Sequence, residues 1–81
     1  MKKRGFEITV PFLYRSEMRR QLHQAIDDMI ASEIPAHISE KKSLSKSTFA
    51  LTYQPKNFAQ LKSIRDFEQQ IKSLVSMFNE R

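Results

Sequence analysis

A chain of 81 residues offers material for one small apolar core, so we expect a single domain over residues 1–81. Apolar residues make up 40% of the chain and cysteine is absent, which excludes disulfide bonds and thiolate metal sites and fits a cytoplasmic location. No apolar run approaches the roughly 20 residues of a membrane-spanning helix, and the net charge of +5 favours anionic partners such as nucleic acid, an acidic protein face or a lipid surface.

The first predicted element is a strand. Apolar residues alternate with polar ones from Phe6 to Val10, a pattern typical of a strand with one buried face. Pro11 has no N–H to donate, so it predicts the end of this strand or a position at a sheet edge.

A helix is predicted next, with Ser16 as its N-cap. Its apolar stripe recurs at spacings of three and four residues and consists of Met18, Leu22, Ala25, Ile26, Met29 and Ile30. The opposite side carries Arg19, Arg20, Gln24, Asp27 and Asp28. Because cations near a helix N-terminus oppose the helix dipole, Arg15, Arg19 and Arg20 are interpreted as facing an external anion.

Pro35 is predicted to end this helix, because its ring clashes with the preceding turn and it has no N–H to donate. The helix is expected to reach residues 32–33, and the backbone to be extended over residues 36–38. Ile34 and Ile38 are expected to point into the core. The predicted structural joint consists of Pro35, His37 and Ile38.

Two further extended segments are predicted after the joint. Ala36 to Lys42 has the pattern of a short strand, and Thr48 to Tyr53 alternates large apolar with small residues and is rich in strand formers. Ser43 to Ser47, between them, is interpreted as a loop or a hairpin tip.

Asn57 and Gln60 have the spacing of a capping box and predict the start of a second helix. The apolar stripe that follows consists of Phe58, Leu61, Ile64, Phe67, Ile71, Leu74, Val75 and Phe78. A coiled-coil seam of two heptads is too short to be favoured, so packing on the sheet is expected. The predicted order is β-α-β-(β)-α, a two-layer α+β sandwich of two helices and a sheet of two or three strands. A parallel pairing of the first and third strands would require a right-handed crossover.

No motif with catalytic or metal-binding spacing is present. A single glycine, Gly5, cannot form a Gly-rich phosphate loop, and His23 and His37 lack the spacing of a zinc site. We therefore predict no enzymatic activity, no metal and no cofactor.

The leading hypothesis is a non-catalytic structural or protein-interaction module that binds a protein partner or a second copy of itself. The alternative is a small basic nucleic-acid-binding protein, in which Tyr14, Phe49 or Tyr53 would stack on bases if exposed. A phage- or plasmid-encoded inhibitor that contacts a nucleic-acid-binding partner is a third interpretation.

The basic residues fall into two groups, Lys2, Lys3, Arg4, Arg15, Arg19 and Arg20, and then Lys41, Lys42, Lys46, Lys56, Lys62 and Arg65. The predicted contacts with a partner or an anion are Arg15, Arg19, Arg20, Lys41, Lys42, Lys46 and Lys56.

Four short motifs follow one another along the chain: Phe6-Glu7-Ile8-Thr9-Val10-Pro11, Met18-Arg19-Arg20, Ile34-Pro35-Ala36-His37-Ile38 and Asp66-Phe67-Glu68. In this order they resemble the small C-terminal module of baseplate proteins from contractile injection systems and phage-like tails. The resemblance implies a structural module that packs against its neighbours in an assembly and carries out no chemistry. The tryptophans usual in that module have no counterpart here, and Ser39 to Ser47 is additional length.

Overall fold

The structure is a computed structural model that describes residues 3–80, so Lys2 of the first basic group lies outside the described residues. Its elements are β1 (Arg4–Pro11), a 3₁₀ turn (Phe12–Tyr14), α1 (Arg15–Ala31), β2 (Ala36–Lys42), β3 (Lys46–Tyr53) and α2 (Phe58–Asn79). This order confirms the predicted α+β fold. Within residues 3–80, no helix combines the length and the apolar character that crossing a bilayer requires.

The three strands form one antiparallel sheet in the order β1-β3-β2, with β3 in the centre. Ile8 of β1 lies opposite Phe49 of β3, and Ile38 of β2 lies opposite Leu51. Because both pairings are antiparallel, the parallel pair on which a right-handed crossover depended does not occur. Residues 36–42 and 46–53 instead form a β-hairpin.

Both helices lie on the same face of the sheet, α1 against β2 and α2 against β1. The buried side chains of β3 are Ser47, Phe49, Leu51 and Tyr53. The residues that alternate with them face the uncovered side of the sheet, as the period of two in a strand requires. The apolar stripe of α2 packs on the sheet, as predicted, and does not form a coiled-coil seam.

The structure places β1 at an edge of the sheet and ends it at Pro11, which confirms both interpretations of that proline. The only glycine of the chain lies in the same strand. A Cβ atom on Gly5 would lie 2.6 Å from the carbonyl oxygen of Leu51, so any side chain at this position would collide with β3.

The predicted start of α1 is wrong by two residues, because the N-cap is Tyr14 and not Ser16. The 3₁₀ turn continues directly into a helix that begins at Arg15, so Tyr14 occupies the N-cap position and no side chain caps the helix. Ser16 is therefore already helical. The capping prediction for α2 is confirmed, because the side chain of Asn57 accepts a hydrogen bond from the Gln60 N–H at 2.9 Å.

Three residues lie in surroundings that the sequence pattern did not predict. Ile30 is 56% exposed because it follows the buried Met29 and is rotated about 100° from it around the helix. Phe58 is 70% exposed because it is the first residue of α2, ahead of Leu61, which reaches the core. Ser47, expected in a loop, is fully buried within β3.

The C-terminus of α1 forms a Schellman turn. The Ile34 N–H donates to the Met29 carbonyl at 2.8 Å, and the Glu33 N–H donates to the Ile30 carbonyl at 3.0 Å. Glu33 has a φ of 63°, in the left-handed region where glycine is the usual residue. The helix therefore ends at Ala31, short of the expected residues 32–33, and it is the backbone reversal at Glu33, ahead of Pro35, that ends it.

The joint after this turn has the predicted geometry. Ile34 is 5% exposed, and the half-buried Ile38 packs against the core. The carbonyl of Pro35 accepts a hydrogen bond from the Gln54 N–H at 2.9 Å, and β2 begins at the next residue. His37 is exposed on the uncovered face of the sheet.

We predict that Glu33→Gly makes the protein more stable than Glu33→Ala by about 1 kcal/mol, because both variants lose the carboxylate but only glycine adopts the left-handed conformation without strain. Urea unfolding of the two variants measures the difference. Equal midpoints would show that Glu33 is not strained.

We predict that Ile38→Ala lowers the free energy of unfolding by about 2 kcal/mol, the low end for truncation of an isoleucine, since the side chain is only half-buried. The matched control is Ile30→Ala, whose exposed side chain should change stability by less than about 0.5 kcal/mol. Thermal or urea unfolding that ranks the two variants the other way round would contradict this account of the joint.

Candidate partner-binding surface

The turn between β2 and β3 closes tightly. The backbone N–H of Ser43 donates to the carbonyl of Lys46 at 2.9 Å, and its hydroxyl donates to the same oxygen at 3.1 Å. Leu44, at the tip, has its side chain fully exposed to solvent. The turn therefore presents a large apolar side chain on a fixed backbone.

The 3₁₀ turn after β1 lies at the same end of the molecule. The Phe12 N–H donates to the Ser45 carbonyl at 2.9 Å, which joins this segment to the hairpin turn. Leu13 is 82% exposed and Phe12 is 39% exposed. The two connecting segments therefore place the exposed apolar side chains of Phe12, Leu13 and Leu44 at the same end of the sheet.

Three lysines lie in the strand ends that adjoin this hairpin turn. They are Lys41, Lys42 and Lys46. All three are exposed, and among the described residues none of them forms an ion pair. Strand alternation places Lys41 and Lys46 on the uncovered side of the sheet and Lys42 on the helix side. We define the hairpin end as Phe12, Leu13, Lys41, Lys42, Leu44 and Lys46.

A partly buried polar network lies just behind the hairpin end. Arg19 donates from Nε and Nη2 to one carboxylate oxygen of Glu40, at 3.0 and 2.6 Å. The hydroxyl of the buried Ser47 donates to the other oxygen at 2.8 Å. One carboxylate thus connects α1 to β2 and β3.

Two opposing effects act on the pKa of Glu40. Burial raises the pKa, while the hydrogen bonds from Ser47 and Arg19 lower it, and the nearby charge of Lys42 acts in the same direction. The pKa of Glu40 is lowered overall, so the carboxylate is stabilised in its charged form.

The remaining predicted contact residues are dispersed. On the surface of α1, Nη2 of Arg20 lies 2.7 Å from Oε2 of Glu17. Near the Schellman turn, Nζ of Lys56 lies 3.5 Å from Oε2 of Glu33. The guanidinium carbon of Arg15 lies 4.3 Å from the ring centre of Phe12, a cation–π geometry. Arg15 therefore lies beside the hairpin end, whereas Arg19 and Arg20 have carboxylate partners within the chain.

The aromatic residues considered for base stacking are engaged in the protein itself. Phe49 and Tyr53 are buried. The ring of Tyr14 stacks on that of Phe78, with centroids 4.5 Å apart. Base stacking on any of them would require these contacts to open.

The exposed side chains of Phe12, Leu13 and Leu44 were not identified from the sequence. For Leu44 a local signal exists, since an apolar residue between serines and lysines in a tight turn has nowhere to be buried. Phe12 and Leu13 continue an apolar run, so only the tertiary structure distinguishes them from core residues.

A cavity of about 180 Å³ lies between the two helices. Its lining consists of Ala25, Asp28, Met29, Ser32, Ile34, Ser63, Ile64 and Phe67.

Within residues 3–80 no group of three or more metal-ligating side chains is present. The lack of catalysis and of cofactors stays a prediction.

Comparison of the chain with protein-family models, curated proteins and solved structures gives no match. The resemblance to baseplate modules therefore stays a prediction as well.

We predict that Glu40→Gln destabilises the protein at neutral pH and that its difference from the wild type shrinks as the pH falls. A lowered folded-state pKa contributes stability that is present above the unfolded value of about 4.5 and is lost as the pH falls through the folded value. Urea unfolding at a series of pH values from about 7 to 3 measures this difference.

Glu17→Gln is the control for this experiment. Glu17 also pairs with an arginine, but on the exposed surface of α1, where such pairs contribute little. Its substitution should change stability only slightly across the same pH range. A destabilisation by Glu40→Gln that stayed constant down to pH 3 would show that the carboxylate charge is not the cause.

Proposed function

We propose that this protein is a non-catalytic interaction module that binds an acidic partner protein through the hairpin end. The observation that carries the proposal is the exposed pair Leu13 and Leu44, at the same end of the sheet as three lysines that form no ion pair within residues 3–80. Apolar contacts at the centre with polar and charged residues at the rim are the usual anatomy of a protein interface. Single exposed apolar residues are common, but a group of them at one end indicates a contact surface.

The two kinds of side chain have different roles in this proposal. Removing Leu44 from water on binding would contribute about 1.5–3 kcal/mol. The lysines would mainly attract an acidic surface and raise the association rate, an effect that salt weakens. Affinity would therefore depend on Leu44, and its salt sensitivity on Lys41, Lys42 and Lys46.

A distinct partner is favoured over self-association through this surface. Two copies docked by their hairpin ends would bring like charges together, which opposes contact. If the resemblance to baseplate modules is correct, the partner would be a neighbouring subunit of such an assembly.

Nucleic acid is the second candidate, because the three lysines of the hairpin end, which have no carboxylate partner in the described part of the chain, can contact phosphates. The buried Phe49 and Tyr53 are not available for base stacking, so this mode would rest on phosphate contacts alone. Such binding to duplex DNA would show a log–log salt slope near −0.9 for each contact.

We predict that selection from a library of displayed linear peptides on the immobilised protein yields acidic sequences that also contain apolar residues. Leu44→Ser should weaken binding of a selected peptide by about tenfold or more, the equivalent of 1.4 kcal/mol. The triple variant Lys41→Ser, Lys42→Ser, Lys46→Ser should reduce mainly the association rate. Surface plasmon resonance measures both quantities.

Lys62→Ser combined with Arg65→Ser is the charge control, because both residues are exposed on α2, away from the hairpin end. Duplex DNA of random sequence is titrated in parallel. Failure to select acidic peptides, together with DNA binding that falls steeply with salt and is unaffected by Leu44→Ser, would refute the protein-binding proposal and favour nucleic acid.

A further inference from the structure

The outer edge of β2 has an identifiable set of unpaired backbone groups. Just before β2 the carbonyl of Pro35 accepts a hydrogen bond from the Gln54 N–H, and just after it the Ser43 N–H donates to the carbonyl of Lys46. Both are odd-numbered positions, so the odd-numbered residues of β2 have their backbone groups directed toward β3. In an antiparallel pair these positions alternate with ones whose N–H and C=O point away. The outward-pointing residues of β2 are Ala36, Ile38, Glu40 and Lys42.

The outer edge of β1 is different. The hydrogen bond from the Phe12 N–H to the Ser45 carbonyl shows that the even-numbered residues of β1 direct their backbone groups toward β3. The backbone N–H and C=O groups of the odd-numbered residues therefore point outward. Among them, Pro11 has no N–H, and the carbonyl of Thr9 lies 3.4 Å from the side-chain amide nitrogen of Asn79 on α2. The edge of β1 is partly blocked, whereas the backbone hydrogen bonds among residues 3–80 leave the outward groups of β2 available to another strand.

Helix α1 lies along the free edge of β2. Arg19 of α1 pairs with Glu40 of β2, so the side of the helix that carries Arg19 borders this edge. His23 and Ile30 follow Arg19 at helical spacing on the same side, and both are exposed. The edge strand and the flank of the helix therefore lie side by side, with the exposed Ile30 toward one end and Lys42 at the other.

We propose that the partner contributes an extended acidic segment that adds to β2 as a fourth strand of the sheet. The inference rests on the proposed function and specifies how the partner binds. The backbone of the segment would pair with the outward groups of Ile38, Glu40 and Lys42, as in other cases of strand addition to an exposed sheet edge. Its acidic side chains would face Lys41 and Lys42, since opposite charges on neighbouring strands stabilise pairing.

An acidic segment fits this edge better than a second copy of β2. Lysines at a sheet edge are a common means of preventing association between identical edges. The chain carries a net charge of +5, so pairing two copies along their basic edges would be opposed by repulsion. The same charge favours an acidic strand.

The test is amide hydrogen exchange, followed by NMR, of the full chain with an acidic peptide from the display selection. In the free protein, the amides of Ser39 and Lys41 should exchange slowly because they bond to β3, while those of Ile38 and Glu40 should exchange faster. Saturation with the peptide should slow exchange at Ile38 and Glu40 by at least about tenfold. The outward amides of the partly blocked strand, at Glu7 and Thr9, are the internal control and should not change.

A pair of substitutions at one position provides the second readout. Lys42→Ala removes the charge, and Lys42→Pro removes both the charge and an outward N–H without affecting the bonds to β3. Proline should weaken binding of the peptide by about tenfold more than alanine. Circular dichroism and the melting temperature check that both variants are folded.

The outcomes separate the two proposals. A peptide that binds with Leu44-dependent affinity, but leaves exchange at Ile38 and Glu40 unchanged and binds both Lys42 variants equally, overturns strand addition and leaves the proposed function in place. Failure of every acidic peptide to bind overturns both. Protection of Ile38 and Glu40 that rises with protein concentration in the absence of peptide identifies a second copy as the occupant and overturns the acidic partner.

Discussion

The alternation of side chains along β3 is the constraint on which the rest of the structure depends. As the central strand it has neighbours on both sides, and its large apolar residues all face one way. Only that face gains from being covered, so both helices must pack there. The elements formed by residues 3–80 leave the opposite face of the sheet uncovered and the outer edges of β1 and β2 without a further strand. The sheet surfaces available for binding are therefore its other face and its two outer edges.

The helix α1 is held over this face by two kinds of interaction. At its C-terminus the Schellman turn directs Ile34 into the core and turns the chain into β2. Near its N-terminus Arg19 binds the carboxylate of Glu40, which also accepts a hydrogen bond from Ser47. Because both partners of the ion pair have hydrogen bonds in a partly buried site, the network defines the position of the helix relative to the strands.

The same network separates structural charges from those free to act on a partner. Arg19 is paired with a carboxylate within the fold, whereas the lysines of the hairpin end have no carboxylate partner among residues 3–80. A turn that carries both these charges and an exposed leucine combines long-range attraction with a short-range apolar contact. The free edge of β2 begins at this turn, so a segment attracted to the lysines would already lie beside the unpaired backbone groups.

The sequence by itself determined the order and kind of the elements, because these follow from local chemistry. Strands follow from apolar residues at every second position, and helices from apolar residues at spacings of three and four. The Asn57 cap and the ring of Pro35 likewise affect the backbone only within a few residues of their own position. Only the tertiary structure decided that β3 lies in the centre, that Arg19 binds Glu40, and that Phe12 and Leu13 are exposed. These features depend on contacts between residues far apart in the chain, and no local pattern specifies which distant partner a strand or a charge will meet. The same reason explains the N-terminus of α1, where the chain leaving the sheet continues as a 3₁₀ turn into the helix and Ser16 is left without a capping role.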